Sequence, residues 1–133
     1  MQSGVTGQRA ACNVLIVEDH ELNMLLFNVL LELHGYRTFQ TKDGLDALRL
    51  ARLHRPDLIV MDIQLPGMSG LEITKHLKAD EELWNIPIVA VTALAMPGDE
   101  EKCRQAGCDG YVAKPFSAAG FMKAVEHHLP AAT

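Results

Sequence analysis

The chain is expected to fold as one α/β domain with a parallel sheet covered by helices on both faces. Three observations predict this. Short apolar runs alternate with amphipathic stretches five times along the 133 residues. Glycine and proline fall at the seams between them, and no cysteine framework or membrane-length apolar run offers another way to stabilise the chain. Parallel strands need crossover connections, and these pack helices on both sides of the sheet.

In order, Val14 to Val17 precedes the amphipathic stretch Glu21 to His34, Arg37 to Gln40 precedes Gly44 to Leu53, and Leu58 to Met61 precedes Gly70 to Leu77. Ile86 to Val91 is then followed by Pro97 to Ala106, and Gly110 to Ala113 by Ser117 to Leu129. Gly35 and Gly107 stand just past helices, where a left-handed residue closes the last turn. Asp43-Gly44 marks a turn, and Pro56, Pro87 and Pro97 sit at element edges. Residues 1–12, MQSGVTGQRAAC, are polar and aperiodic and are expected to be a flexible tail, with the domain at 13–130 and no output domain after it.

Twelve Lys and Arg against 17 Asp and Glu leave a net charge of −5, and no basic cluster appears. Nucleic acid and anionic membrane are therefore not expected as partners. Three cysteines, Cys12, Cys103 and Cys108, and the lack of a signal segment point to a cytoplasmic protein with reduced thiols. Their spacing relative to His127 and His128 matches no zinc pattern.

In an open parallel sheet, ligands bind outside the carboxyl ends of the strands. Polar residues interrupt the apolar scheme at four such ends: Glu18 and Asp19 after the first strand, Asp62 after the third, Thr92 after the fourth and Lys114 after the fifth. In the flavodoxin-like strand order 2-1-3-4-5, a (βα)5 three-layer sandwich, the first and third strands are neighbours and three carboxylates converge. They would repel one another without a cation, so a hard divalent metal is expected, Mg²⁺ first and Mn²⁺ as its substitute. Such a site takes a phosphoryl group, and a carboxylate can attack one to give an acyl phosphate.

Asp62 is therefore expected to be the phosphoacceptor and a metal ligand, with Asp19, Glu18 and the Gln64 backbone carbonyl as further ligands. Lys114 and the Thr92 hydroxyl would hold phosphoryl oxygens. Pro115 is a candidate cis bond. A lone Asp at a strand end is more often a helix cap or turn former, so the conjunction carries the reading.

The first helix has two apolar stripes. Leu22, Leu25, Leu26, Val29, Leu30 and Leu33 form the larger, expected to lie on the sheet, leaving Met24, Phe27 and Leu31 outward as a partner surface. Leu94, Ala95 and Met96, with Tyr111 and Phe116, suggest a second surface beside the site.

The motifs VLIVED, PDLIVMDIQLPGMSG, IVAVTA and GYVAKP resemble those of CheY-like response regulator receiver domains, over about Asn13 to Leu129. In EDHELNM, MDIQLP, VAVTALAM and GDEE the chain is most similar to the DivK-type group of single-domain regulators. The resemblance implies transfer to Asp62 from a phosphohistidine on a histidine kinase or phosphotransfer protein. It also implies a switch in which Thr92 moves toward the phosphoryl group and Tyr111 swings inward. Output would be protein binding by the receiver itself, as a monomer or weak dimer, in cell-cycle or cell-fate control.

The chain is thus expected to be a signalling protein and not an enzyme acting on external substrates. A haloacid-dehalogenase-like phosphatase would need a second Asp two residues after the nucleophile, where Gln64 stands. A flavodoxin-like nucleotide binder would need a first loop that cradles phosphate, and Glu18-Asp19-His20-Glu21 is acidic. A receiver segment of a hybrid histidine kinase remains as the nearer alternative.

Overall fold

The computed structural model describes residues 12–92, 97–113 and 117–129. Leu94, Ala95, Met96, Lys114, Pro115, Phe116 and the 1–11 segment of the expected tail lie outside them.

Strands β1 (Asn13–Val17), β2 (Arg37–Thr41), β3 (Leu58–Asp62), β4 (Ile88–Thr92) and β5 (Gly110–Ala113) alternate with helices α1 (Glu21–Leu33), α2 (Gly44–His54), α3 (Gly70–Ala79), α4 (Asp99–Ala106) and α5 (Ala118–His128). The strands are all parallel, in the order β2-β1-β3-β4-β5. The expected strand order and helix count are both met.

Side chains alternate across a strand, and here both faces are dry. Val14, Ile16, Leu58, Val60, Val89 and Val91 pack under α1 and α5, with Tyr36 beside them. Leu15, Val17, Ile59, Met61 and Ile88 pack on the other face against Ala47 and Ala51 of α2 and Ile73 and Leu77 of α3. Helix starts follow the sequence closely. Asp43, Ser69 and Ser117 each accept a backbone N–H of the turn they open.

Ile86 belongs to the turn before β4 and not to the strand. Its N–H donates to the Leu83 carbonyl, its own carbonyl takes the Lys78 ammonium, and Pro87 beyond it has no N–H to give a ladder. Helix α4 starts two residues later than Pro97, because Gly98 turns left-handed (φ +88) to open it.

The rotation of α1 is the reverse of the one expected. Met24, Phe27 and Leu31 are buried, whereas Leu22 (70% exposed), Leu25 (58%), Leu26 (40%), Val29 (43%) and Leu33 (75%) face outward. Only Leu30 of the larger stripe packs partly on the core. Shape decides it: the Phe27 ring stacks on Phe121 of α5 with centroids 4.5 Å apart, filling the space between the two helices. Asn28, on the same side of α1, accepts a hydrogen bond from the Thr38 hydroxyl on the edge strand β2. The proposed partner surface of Met24, Phe27 and Leu31 is therefore core.

Candidate functional site

Strand β1 runs out at Val17, and the chain continues its ladder for one residue, with the Glu18 N–H donating to the Thr41 carbonyl at 3.0 Å. That holds Glu18 at the sheet's carboxyl edge, 2% exposed, with the His20 N–H donating to its carboxylate at 3.1 Å. Asp19 beside it is half-buried. Asp62 is the last residue of β3, opposite Val91 of β4 and 6% exposed. The Gln64 N–H donates to its Oδ1 at 2.8 Å, which fixes the carboxylate's orientation.

Glu18, Asp19 and Asp62 each present an oxygen such that the three lie within 4.8 Å of one another. This is the spacing of ligands around one hard cation. Two acids this close and this dry cannot both be charged without help. Burial, and next the Asp62 charge, push the Glu18 carboxyl up to about 8. Burial also raises Asp62, opposed by the Gln64 N–H and by a hydrogen bond from Glu18. Of the two acids, Glu18 is thus the one that more readily keeps a proton.

Thr92 ends β4 one residue past the level of Asp62, 1% exposed and paired in register with Ala113. Tyr111 is half-buried in β5, its hydroxyl raised by burial first and then by Asp99. The structure thus brings together Glu18, Asp19 and Asp62, with Thr92 on the adjoining strand end. Gln64 contributes its amide to the site, and its carbonyl has no described contact there. Lys114, Pro115 and the Leu94, Met96 and Phe116 surface lie outside the described residues.

Sequence reasoning passed over Gly70. A β-carbon there would stand 2.1 Å from the Asp62 carbonyl oxygen and 2.7 Å from the Ile63 α-carbon. Only glycine lets α3 begin directly against the strand end that carries Asp62. The small residues of GMSG, just after the acid, were the available signal.

Among the described residues no helix is long and apolar enough to cross a membrane. A family model described as the response regulator receiver domain matches residues 14–126. The polar-differentiation response regulator DivK of Brucella anthropi is 59% identical over 117 residues, covering 88% of this chain and 95% of that protein. Among solved structures, the receiver domain of the Pseudomonas aeruginosa sensor histidine kinase PA1611, with a magnesium ion coordinated in its active-site cleft, is 38% identical. It has a TM-score of 0.81, covering 89% of this chain and 97% of that one. The chemotaxis protein CheY4 of Vibrio cholerae is 28% identical with a TM-score of 0.84, covering 90% and 100%.

Proposed function

The chain belongs to the response regulator receiver domain family, and from that premise we propose that it is a stand-alone regulator in which Asp62 accepts a phosphoryl group from a phosphohistidine. The observation that carries this is the convergence of Glu18, Asp19 and Asp62 at one strand edge. A carboxylate oxygen of Asp62 attacks phosphorus while the phosphorus–nitrogen bond breaks. The electron pair goes to the imidazole nitrogen, which takes up a proton, and an acyl phosphate is left on Asp62. Bound Mg²⁺, or Mn²⁺ in its place, would neutralise charge on the transferring oxygens. Glu18, Asp19, Asp62 and the Gln64 carbonyl would hold it. The Lys114 ammonium and Thr92 hydroxyl would take the remaining phosphoryl oxygens, and Thr92 with Tyr111 would relay the change.

The donor in this reading is a helical histidine kinase or phosphotransfer domain that packs on α1. Leu22, Leu26, Val29 and Leu33 follow the four-three-four spacing of a helix-packing seam and are all exposed. The seam begins beside the acid pair, since α1 starts at Glu21. The downstream target in this reading is a protein bound in the cytoplasm, in cell-cycle or cell-fate control, and the name of the Brucella relative points to polar differentiation. The likeness to a histidine kinase receiver supports a second reading, a segment of a hybrid kinase. The 59% identity over 117 residues, which span 95% of the Brucella regulator's own length, weighs against it.

Incubation with acetyl phosphate and Mg²⁺ followed by intact-mass measurement tests the acceptor. One added phosphoryl group is expected in the wild type, and none with chelator or in Asp62→Asn. A phosphoryl group that persists in Asp62→Asn would overturn the assignment.

A further inference from the structure

Helix α4 closes on Gly107 (φ +110) with two paired hydrogen bonds. The Cys108 N–H donates to the Cys103 carbonyl at 2.9 Å, and the Gly107 N–H donates to that of Arg104 at 3.0 Å. In this closure the residues joined by the outer bond, five apart in the chain, touch through their side chains, usually as two apolar groups. Here both are cysteines. Standard bond lengths and a 2.9 Å hydrogen bond put an upper limit of about 6.8 Å on their α-carbon separation. Disulfides span that range.

The two thiols are near enough to shift one another's titration and line one cavity of about 50 Å³, together with Glu100, Asp109 and Tyr111. They are not equivalent. Cys103 is 1% exposed, whereas Cys108 is half-buried and its thiol donates to the Thr74 hydroxyl at 3.8 Å.

We infer that Cys103 and Cys108 are an oxidative modification site, a dithiol that closes reversibly to a disulfide, with Cys108 attacking and Cys103 resolving. With a peroxide as oxidant, the Cys108 thiolate attacks one oxygen, the O–O bond breaks, and the departing hydroxide is protonated to water. Sulfenic acid is left on Cys108. The Cys103 sulfur then attacks that sulfur, the S–O bond breaks, and hydroxide leaves as a second water with the Cys103 proton. Two thiols and one hydrogen peroxide become one disulfide and two waters.

Burial holds both thiols above their ordinary range, Cys103 up to about 12. For Cys108 its contacts with the Thr74 hydroxyl and the Cys103 thiol and the Lys78 charge act the other way, which favours it as the first thiolate. The reaction is therefore slow at neutral pH, and its rate climbs about tenfold per pH unit because the thiolate is the nucleophile. The bridge would clip the end of α4 to the residue two before β5. Tyr111, the aromatic assigned to the switch, lines the same cavity, so oxidation would act on the switch from behind.

The test uses the full chain as Cys12→Ser, treated with hydrogen peroxide at pH 7 and pH 8, blocked with iodoacetamide and weighed intact. A loss of two mass units without alkylation, reversed by dithiothreitol and about tenfold faster at the higher pH, is expected. Trypsin cuts after Arg104, between the two cysteines, so the bridge appears as two joined peptides. Phenylarsine oxide, which loses water on joining two thiols, should add once to this protein and not to its Cys103→Ser or Cys108→Ser derivatives. Two alkylated thiols after oxidation, or sulfinic acid on Cys108 beside a free Cys103, would overturn the assignment, as would failure of the native protein to take the arsenical.

Discussion

A divalent cation and the Glu18 proton compete for the same oxygens, so magnesium binding should depend steeply on pH. With the Glu18 carboxyl at about 8, about one molecule in a hundred has it ionised at pH 6 and half do at pH 8. The apparent magnesium affinity should therefore rise about fifty-fold across those two units. The sign for stability follows from the same group. A carboxyl raised in the folded state stabilises the fold at low pH, and that contribution fades as pH climbs from 4.5 through 8. The metal-free protein should lose about 2 kcal/mol between pH 6 and pH 8, and saturating Mg²⁺ should restore it. Titration calorimetry in two buffers of different ionisation enthalpy counts the released proton directly. Trp84 is a poor optical reporter, since it stands 59% exposed on the loop entering β4, at the far end of the sheet. In Glu18→Gln the pH dependence should flatten. A wild-type affinity that is level from pH 6 to pH 8 would refute the shared proton.

Four further outcomes test the packing, the docking face, the acceptor loop and a helix cap. Phe27→Ala should cost about 3–5 kcal/mol in urea unfolding, because the ring is fully buried against Phe121. Leu26→Ser with Val29→Ser should change stability far less, yet slow transfer from a cognate helical donor at least tenfold while leaving acetyl phosphate labelling unchanged. Equal transfer rates would remove α1 as the docking face. Gly70→Ala should impair labelling of Asp62 by acetyl phosphate, since its new methyl group overlaps the acceptor's own carbonyl oxygen, 2.1 Å away. Ser117→Ala, which removes the bond to the Gly120 N–H, should lower stability by about 1 kcal/mol without touching phosphorylation.

The strand ends could be read from sequence because their chemistry is local. A single acid or hydroxyl at the close of a dry run, as at Asp62 or Thr92, has other uses as a cap or turn former, but the same kind of residue recurring at strand end after strand end has few. The alternation of runs implied a parallel sheet, and the flavodoxin-like strand order expected for it is the one that brings Glu18 and Asp19 to Asp62. The rotation of α1 was not legible, because periodicity counts apolar residues and ignores their shape. Six aliphatic groups outnumber Met24, Phe27 and Leu31, yet a flat ring that matches Phe121 settles which side goes in. The raised Glu18 carboxyl was hidden for a different reason: it depends first on burial at the sheet edge and next on a carboxylate reached only through the sheet, 44 residues away in the chain. Gly70 needed coordinates, since nothing in GMSG says which of its glycines faces a carbonyl.

A helix that can bury either of two apolar sides poses a problem for the chain as it folds. Turned by half a revolution, α1 would still cover the sheet with leucines, and the resulting compact form would compete with the native one. What the wrong orientation lacks is the Phe27–Phe121 stack and a place for Asn28, whose amide oxygen takes the Thr38 hydroxyl from the edge strand. Asn28 is thus a rotational key. It adds little to the stability of the right answer, but the misturned helix would strand the Thr38 hydroxyl without this acceptor. A polar residue on the buried side of a leucine-rich helix here selects among folds, while the exposed leucines are left free for another molecule.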